Sequence, residues 1–416
     1  MTTSPSSPSP RTWWPQHLLL GWMNLVLTAP FLYLFVGLSL VMRQHGFSGT
    51  QMGVMLLAGL PAMLKFALAA PIDRWHLGRS NYRNWAVVLS LAYAGALALV
   101  ALNPLETTPY LRMFSLIMLA SLAATWADVP VNALAIALLP ETERIRAGAV
   151  RSAATSLGAI AGGGLMLVLH ARHGWAAPLY TLALGVVSCA VLIPWLKTPS
   201  HMPVRSAPPV DVSFKQWLGW FAQPEHRFWT VLLLLYYPLI GTSWFYLKPL
   251  MLDHGFEPER VAVIVGMIGG LIAAAASMIG SRISRRISPR KALPLFVLGD
   301  LLALGALTGV VLLGLGPNAL IVAVVLIALA VGASAGLVYG LTMYYARPGL
   351  AALDYGIQTS LFVAGRTFIP MFAGMILDWG GYSGMLGSLM LAIALLLLLV
   401  WVAVPRVFTP TTTEKI

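Results

Sequence analysis

What most constrains this chain is a succession of apolar runs, each close to the ~20 residues a helix needs to cross a bilayer core. Twelve can be marked, at 17–41, 51–71, 84–103, 111–139, 148–171, 175–196, 228–252, 260–280, 291–315, 318–346, 351–376 and 382–405. Runs this uniformly apolar have no solvated face to offer, so they read as helices in lipid rather than as layers around a soluble core. The charge content agrees: Asp, Glu, Lys and Arg make up 10% of the chain, against about 25% in soluble domains. The expected fold class is an all-α polytopic membrane protein with twelve transmembrane helices. The first run, from Leu18, exceeds the apolar core of a signal peptide and is read as a retained span.

One connector differs from the rest. Residues 197–227 carry Pro199, Pro203, Pro208 and Pro209 among mixed charges and divide six runs from six. The expected organisation is a Ser/Pro-rich, disordered start at 1–16, a six-helix bundle at 17–196, a linker at 197–227, a second bundle at 228–405 and a tail at 406–416. Near the linker's end Phe214, Trp217, Trp220 and Phe221 suggest a short interfacial helix. The halves also echo each other at an offset of 208 residues: Pro30 with Pro238, Arg74 with Arg282, Arg83 with Lys291, Gly148 with Gly356, Ser152 with Ser360. These pairs fall at equivalent points of their runs, so two pseudo-symmetric six-helix halves are expected, related across the membrane normal.

A net charge of +12 invites a nucleic-acid reading, but the distribution of that charge argues against it. The loops on the side of the termini hold 19 of the 26 Lys and Arg, and those on the other side hold 5. Such a bias is topological and expects both termini in the cytoplasm. Cys189, the single cysteine, lies in an apolar run and excludes internal disulfides and cysteine-rich metal sites. No phosphate-binding GxxxxGK[ST] loop occurs, and there is neither a His/Asp/Glu cluster nor a nucleophile–base pair. No cofactor, no metal and no enzymatic activity are expected. The bilayer is the expected partner and a monomer the expected state.

Charges inside spans cost about 2.5–3.5 kcal/mol each on insertion scales and so invite a functional reading. There are four: Lys65 in run 2, Asp128 midway along run 4, Asp300 in run 9 and Arg366 midway along run 11. They read either as structural ion pairs or as proton-coupling carboxylates, Asp128 and Asp300, with cationic substrate clamps, Lys65 and Arg366. A guanidinium is not silenced by deprotonation, so Arg366 needs a carboxylate or an anionic ligand. The loop after run 2 holds Asp73, Arg74, Arg79 and Arg83. These are either topogenic charge or a conformational latch onto neighbouring helix ends, and the acid embedded among arginines favours the latch. Pro30 and Pro238 interrupt runs 1 and 7. Around them Tyr33, Tyr236 and Tyr237, with Tyr339 of run 10, are expected to line a cavity and stack on a flat, partly aromatic cargo. Trp229, Tyr344 and Tyr345 fit an interfacial belt.

Three stretches carry a family resemblance. Leu64-Lys65-Phe66, followed by Ala70-Pro71-Ile72-Asp73-Arg74, resembles a signature of the AmpG-like branch of the major facilitator superfamily. Residues 123–164, with Asp128 and the Leu139-Pro140-Glu141 turn, and 351–381, with Gln358 and Arg366, are similar to that branch's helix 4–5 and helix 11 regions. The resemblance implies a secondary transporter and adds Gln358 to the substrate-binding set. Within that branch the compact length is closest to RhtX/FptX-type siderophore permeases, and Asp128-Val129-Pro130 stands where a muropeptide permease would be richer in acid. The expected function is proton-coupled import of an anionic siderophore, or its iron complex, across the bacterial inner membrane. Muropeptide import and drug or metabolite export are the alternatives. A transporter-like sensor or a membrane-embedded enzyme is the expectation from another class.

Overall fold

In lipid a backbone must satisfy its own hydrogen bonds, and an apolar run of this length does so as a helix. The computed structural model describes residues 13–38, 41–42, 45, 47, 51, 54–55, 57–75, 77, 81–196, 214–347 and 349–407, and no strand occurs among them. Expectations that fall on 1–12, Arg79, 197–213 and 408–416 lie outside the described residues. In chain order the spans are α1 (Trp14–Gly37); α2, a 3₁₀ stretch Leu57–Leu64 continued as Lys65–Arg74; α3 (Asn81–Ala101), α4 (Tyr110–Leu138), α5 (Glu141–His173) and α6 (Ala176–Trp195). The second half holds α7 (Pro224–Asp253), α8 (Ala262–Ile287), α9 (Pro289–Leu312) and α10 (Pro317–Tyr344). The helix Ala351–Val407 breaks at Gly381 (φ 63°, ψ −171°) into α11 and α12. Ten helices qualify as spans by length and hydropathy among the described residues. The break at Gly381 adds one. The other is α2, which carries Lys65, Asp73 and Arg74 and so falls short on apolarity.

Two details depart from the sequence reading. α5 begins at Glu141, behind an extended Pro140 (ψ 157°), rather than at 148. Arg151, expected among the loop charges, therefore lies about 15 Å into the helix at 1.5 Å per residue. Trp229 and Tyr345 are also not at a lipid belt. Trp229 is buried, stacked on Tyr345 with ring centroids 5.4 Å apart. The helix Phe214–Ala222 does form ahead of α7, and Trp220 stacks on His226 at 4.0 Å.

Each half has its own apolar core, around Met23, Tyr33 and Tyr93 in the first and around Trp229, Leu233 and Tyr236 in the second. With an even number of spans, the start of α1 and the end of α12 share one face, here called the terminal face. On that side the halves meet along two seams. α5 lies against α8 and α10, and α11 lies against α2. Gly148 permits the first seam: a Cβ there would collide with the Gly340 nitrogen. Gly356 permits the second, where a Cβ would stand 2.7 Å from that of Ala69. The same 208-residue offset joins the seam hydrogen bonds. Leu353 N donates to Asp73 Oδ2 at 2.7 Å, and Ser281 Oγ donates to Ile145 O at 3.3 Å. Positions 73 and 281, like 353 and 145, are one offset apart, so Asp73 has a counterpart in place though not in chemistry.

Gly148→Val should wedge the first seam open. Overpacking of this kind costs about 1–3 kcal/mol, so the population with the terminal face shut should fall by roughly tenfold for each 1.4 kcal/mol. A cysteine introduced by Ser152→Cys, one turn further along α5, should then label faster from the terminal face. Unchanged labelling would show that this contact does not hold the face shut.

Candidate functional site

Asp128 lies two residues before Pro130 on α4, and Asn132 follows one turn later. Asn132 Nδ2 donates both to Asp128 Oδ1 at 2.9 Å and to its carbonyl at 2.8 Å, which fixes the carboxylate locally. Three more helices converge on it. Lys65 Nζ from α2 donates to Oδ2 at 2.6 Å, Tyr355 Oη from α11 at 2.6 Å and Arg151 Nη2 from α5 at 3.5 Å. Arg151 is held between two rings, its guanidinium 4.6 Å from the centroid of Tyr339 and 4.9 Å from that of Tyr355. Its Nη1 is buried with no hydrogen-bond partner. A charge-assisted cluster of this kind is strong while all its members are satisfied, and costly to leave half-made.

The cluster forms part of the wall of a cavity of about 530 Å³. Phe31 and Phe35 of α1, Leu60 and Met63 of α2 and Phe362 of α11 make that wall largely apolar. Arg366 lines the same cavity, three turns beyond Tyr355 on α11. Its guanidinium stands over the rings of Phe362 and Tyr237, at 5.6 and 5.9 Å, and no carboxylate pairs with it among the described residues. The cavity thus carries three cations, Lys65, Arg151 and Arg366, against the one carboxylate of Asp128. In a low-dielectric wall an unneutralised cation is an attractor for anions.

Of the residues expected at the site, Lys65, Asp128, Tyr339 and Arg366 line this one cavity. Tyr237 stands behind Arg366. The expectation that Tyr33, Tyr236 and Gln358 face it is corrected, because each is buried and bonded elsewhere. Tyr33 Oη pairs with His170 Nδ1 at 3.3 Å. Gln358 accepts from Trp229 Nε1 at 2.6 Å and donates to Thr342 O at 3.0 Å. Tyr236 Oη donates to Ser334 Oγ at 2.8 Å, and Ser334 donates to Asp300 at 2.9 Å. Asp300 is therefore buried within the second half, away from the cavity, with no cation paired to it among the described residues.

Of the residues expected in the latch, Asp73 makes a bond between the halves, and Arg79 lies outside the described residues. Asp73 crosses between halves to the first turn of α11 and also accepts from Tyr82 Oη at 2.7 Å. A carboxylate at a helix N-terminus suits the partial positive charge there. Arg83 donates to Leu196 O, at the end of α6 in its own half. Arg74 is exposed and makes no ion pair among the described residues. Sequence reasoning missed Arg151 and Tyr355. The signal for Arg151 was Pro140-Glu141, a helix start ten residues before it. Tyr355 offered none beyond its place on run 11.

A family model described as Major Facilitator Superfamily matches residues 18–370. The anhydromuropeptide permease of Escherichia coli K12 is 23% identical over 349 residues, which cover 80% of this chain and 68% of the permease. Among solved structures, the human organic anion transporter MFSD10 (TETRAN) superposes with a TM-score of 0.73 at 17% identity, over 94% of this chain and all of that one. FucP, a transporter captured in the outward conformation, gives 0.71 at 17% identity, over 95% of this chain and 99% of that one. At such identities the structural likeness speaks to the fold alone. The family match runs from Leu18 in α1 into α11 and takes in every residue of the charged cavity: the chain belongs to the Major Facilitator Superfamily.

Proposed function

We propose that this transporter imports an amphipathic organic anion together with protons, by alternating access, in a bacterial inner membrane with both termini cytoplasmic. The observation that carries the reading is the excess of cations over carboxylate on the wall of one cavity. Coupling follows from competition. With no cargo, Asp128 neutralises Lys65 and Arg151. An arriving anion takes over those cations. A buried carboxylate deprived of its partners is too costly to leave charged and takes up a proton. The cavity then opens to the opposite side with the anion on the cations and the proton on Asp128; as the anion leaves, Asp128 pairs again with Lys65 and Arg151 and gives up its proton to that same side.

The cargo we favour is a siderophore or its iron complex. Tyr339 and Phe362 lie under the guanidinium groups of Arg151 and Arg366, and Phe31 and Phe35 line the same cavity, which suits an aromatic carboxylate or phenolate. A second reading, import of a cell-wall muropeptide, is favoured by the likeness to the anhydromuropeptide permease. Uptake of labelled ferric siderophore and of labelled anhydromuropeptide, in a strain lacking the gene and in one restored with it, separates the two. Gene-dependent, protonophore-sensitive siderophore accumulation is expected. Accumulation of the muropeptide instead would establish the second reading, and accumulation of neither would end both.

A further inference from the structure

A second cavity, of about 660 Å³, opens on the terminal face between the halves, far from the ring-lined site. The first half contributes Trp14 from the start of α1 and Arg146 from the start of α5; the second contributes Arg282, Arg285 and Arg286 from the end of α8. Among the described residues the acid beside them is Glu143, which is already engaged. It accepts from Arg146 Nη1 at 2.5 Å and pairs with His17 Nε2 at 2.8 Å. No carboxylate lies within ion-pair distance of Arg282, Arg285 or Arg286 among the described residues. The Nε atoms of Arg146 and Arg285 are buried without a hydrogen-bond partner, and the charges of Arg146 and Arg282 both act on Arg285. Four guanidinium groups facing one committed carboxylate across a seam repel one another. An anion seated among them would offset that repulsion when the halves close.

The surroundings identify the kind of anion. The arginines sit near the end of α8, and the end of a span meets the headgroup region of a bilayer. Beside and below them, Ile283 and Ile279 on α8 and Leu18 on α1 expose 37%, 59% and 66% of their surface. Trp14 rests on Arg146, with its ring 5.4 Å from the guanidinium, in the amphipathic position that tryptophan takes at an interface. A soluble anion would use the arginines and leave the apolar border unused. A phospholipid uses both, with phosphate oxygens on the guanidinium forks and an acyl chain along the exposed isoleucines. We propose that this pocket is a site for the headgroup of an anionic phospholipid. By contacting α1 and α5 on one side and α8 on the other, the lipid would stabilise the state in which the terminal face is shut.

The test needs no cargo, so its failure is separate from any failure of the transport reading. The full chain is reconstituted into phosphatidylcholine vesicles with or without phosphatidylglycerol, then extracted gently for native mass spectrometry. The wild type should retain phosphatidylglycerol in preference to phosphatidylcholine, and inorganic phosphate should not displace it. In Arg285→Gln/Arg286→Gln that retention should weaken roughly thirtyfold, at about fivefold for each basic residue near an anionic surface. Labelling of Ser152→Cys from the terminal face should be slower with phosphatidylglycerol present, and that difference should vanish in the arginine variant. The wild-type comparison stands even if the variant fails to insert. Equal retention of the two lipids by the wild type would overturn the proposal. So would full retention by a folded variant, and displacement by phosphate would reassign the pocket to a soluble anion.

Discussion

Asp128→Asn should abolish pH-gradient-driven accumulation while leaving some exchange of cargo down its own gradient. The amide cannot take up a proton, so the step that ties a proton to each anion is lost. It also cannot neutralise Lys65 at 2.6 Å and Arg151 at 3.5 Å. Breaking a buried pair by removing one partner costs about 3–5 kcal/mol, so lower thermal stability should accompany the loss of coupling. The double variant Lys65→Met/Asp128→Asn separates the two effects. With one orphaned cation fewer it should recover much of the stability, yet it still lacks a protonatable group and should stay uncoupled. Proteoliposome uptake under an imposed pH gradient, alongside counterflow without one, reads both quantities. Persistent uphill accumulation by Asp128→Asn, with undiminished protonophore sensitivity, would rule out the coupling role.

Arg366→Ala should lower uptake at limiting cargo concentration by roughly ten- to a hundredfold. A hydrogen bond to a charged group contributes about 1.5–3 kcal/mol, and each 1.4 kcal/mol is a factor of ten. Fold stability should hardly change, because Arg366 has no carboxylate to orphan and is exposed to the cavity. That contrast with Asp128 is itself diagnostic: one position should alter affinity without melting temperature, the other both. Arg366→Lys keeps the charge but loses the planar fork and the ring stacking, so it should recover uptake only in part. Wild-type uptake by Arg366→Ala at limiting cargo would remove Arg366 from the binding site.

The scaffold was legible in the sequence because hydropathy and helix length are set by the bilayer, and because duplicated mechanics leave a duplicated spacing. Gly148 and Gly356 could be paired by counting, and both prove to be places where the two halves touch. The chemistry was harder to read because it is not duplicated. One offset from Lys65, Asp128, Arg151 and Arg366 stand Ala273, Gly336, Thr359 and Gly158. Arg151 was hidden for a further reason: a run of apolar residues marks the lipid-level part of a helix, whereas α5 starts earlier, in the polar stretch behind Pro140. Tyrosines were misassigned where burial in a half's own core competes with exposure to the cavity. Tyr236 and Tyr237 are neighbours in sequence, yet one bonds towards Asp300 and the other backs Arg366. Only side-chain direction distinguishes them.

The bond from Tyr355 to Asp128 joins the second half to the first through the same carboxylate that holds the cavity's cations. A small molecule could therefore occupy the carrier without being carried. An anion that satisfies Arg366 and rests on the phenylalanine faces, but leaves Asp128 with its present partners, would fill the cavity and keep the two halves fastened. Such a compound would be a dead-end blocker rather than a poor cargo, and its potency would rise with every contact it made short of that carboxylate.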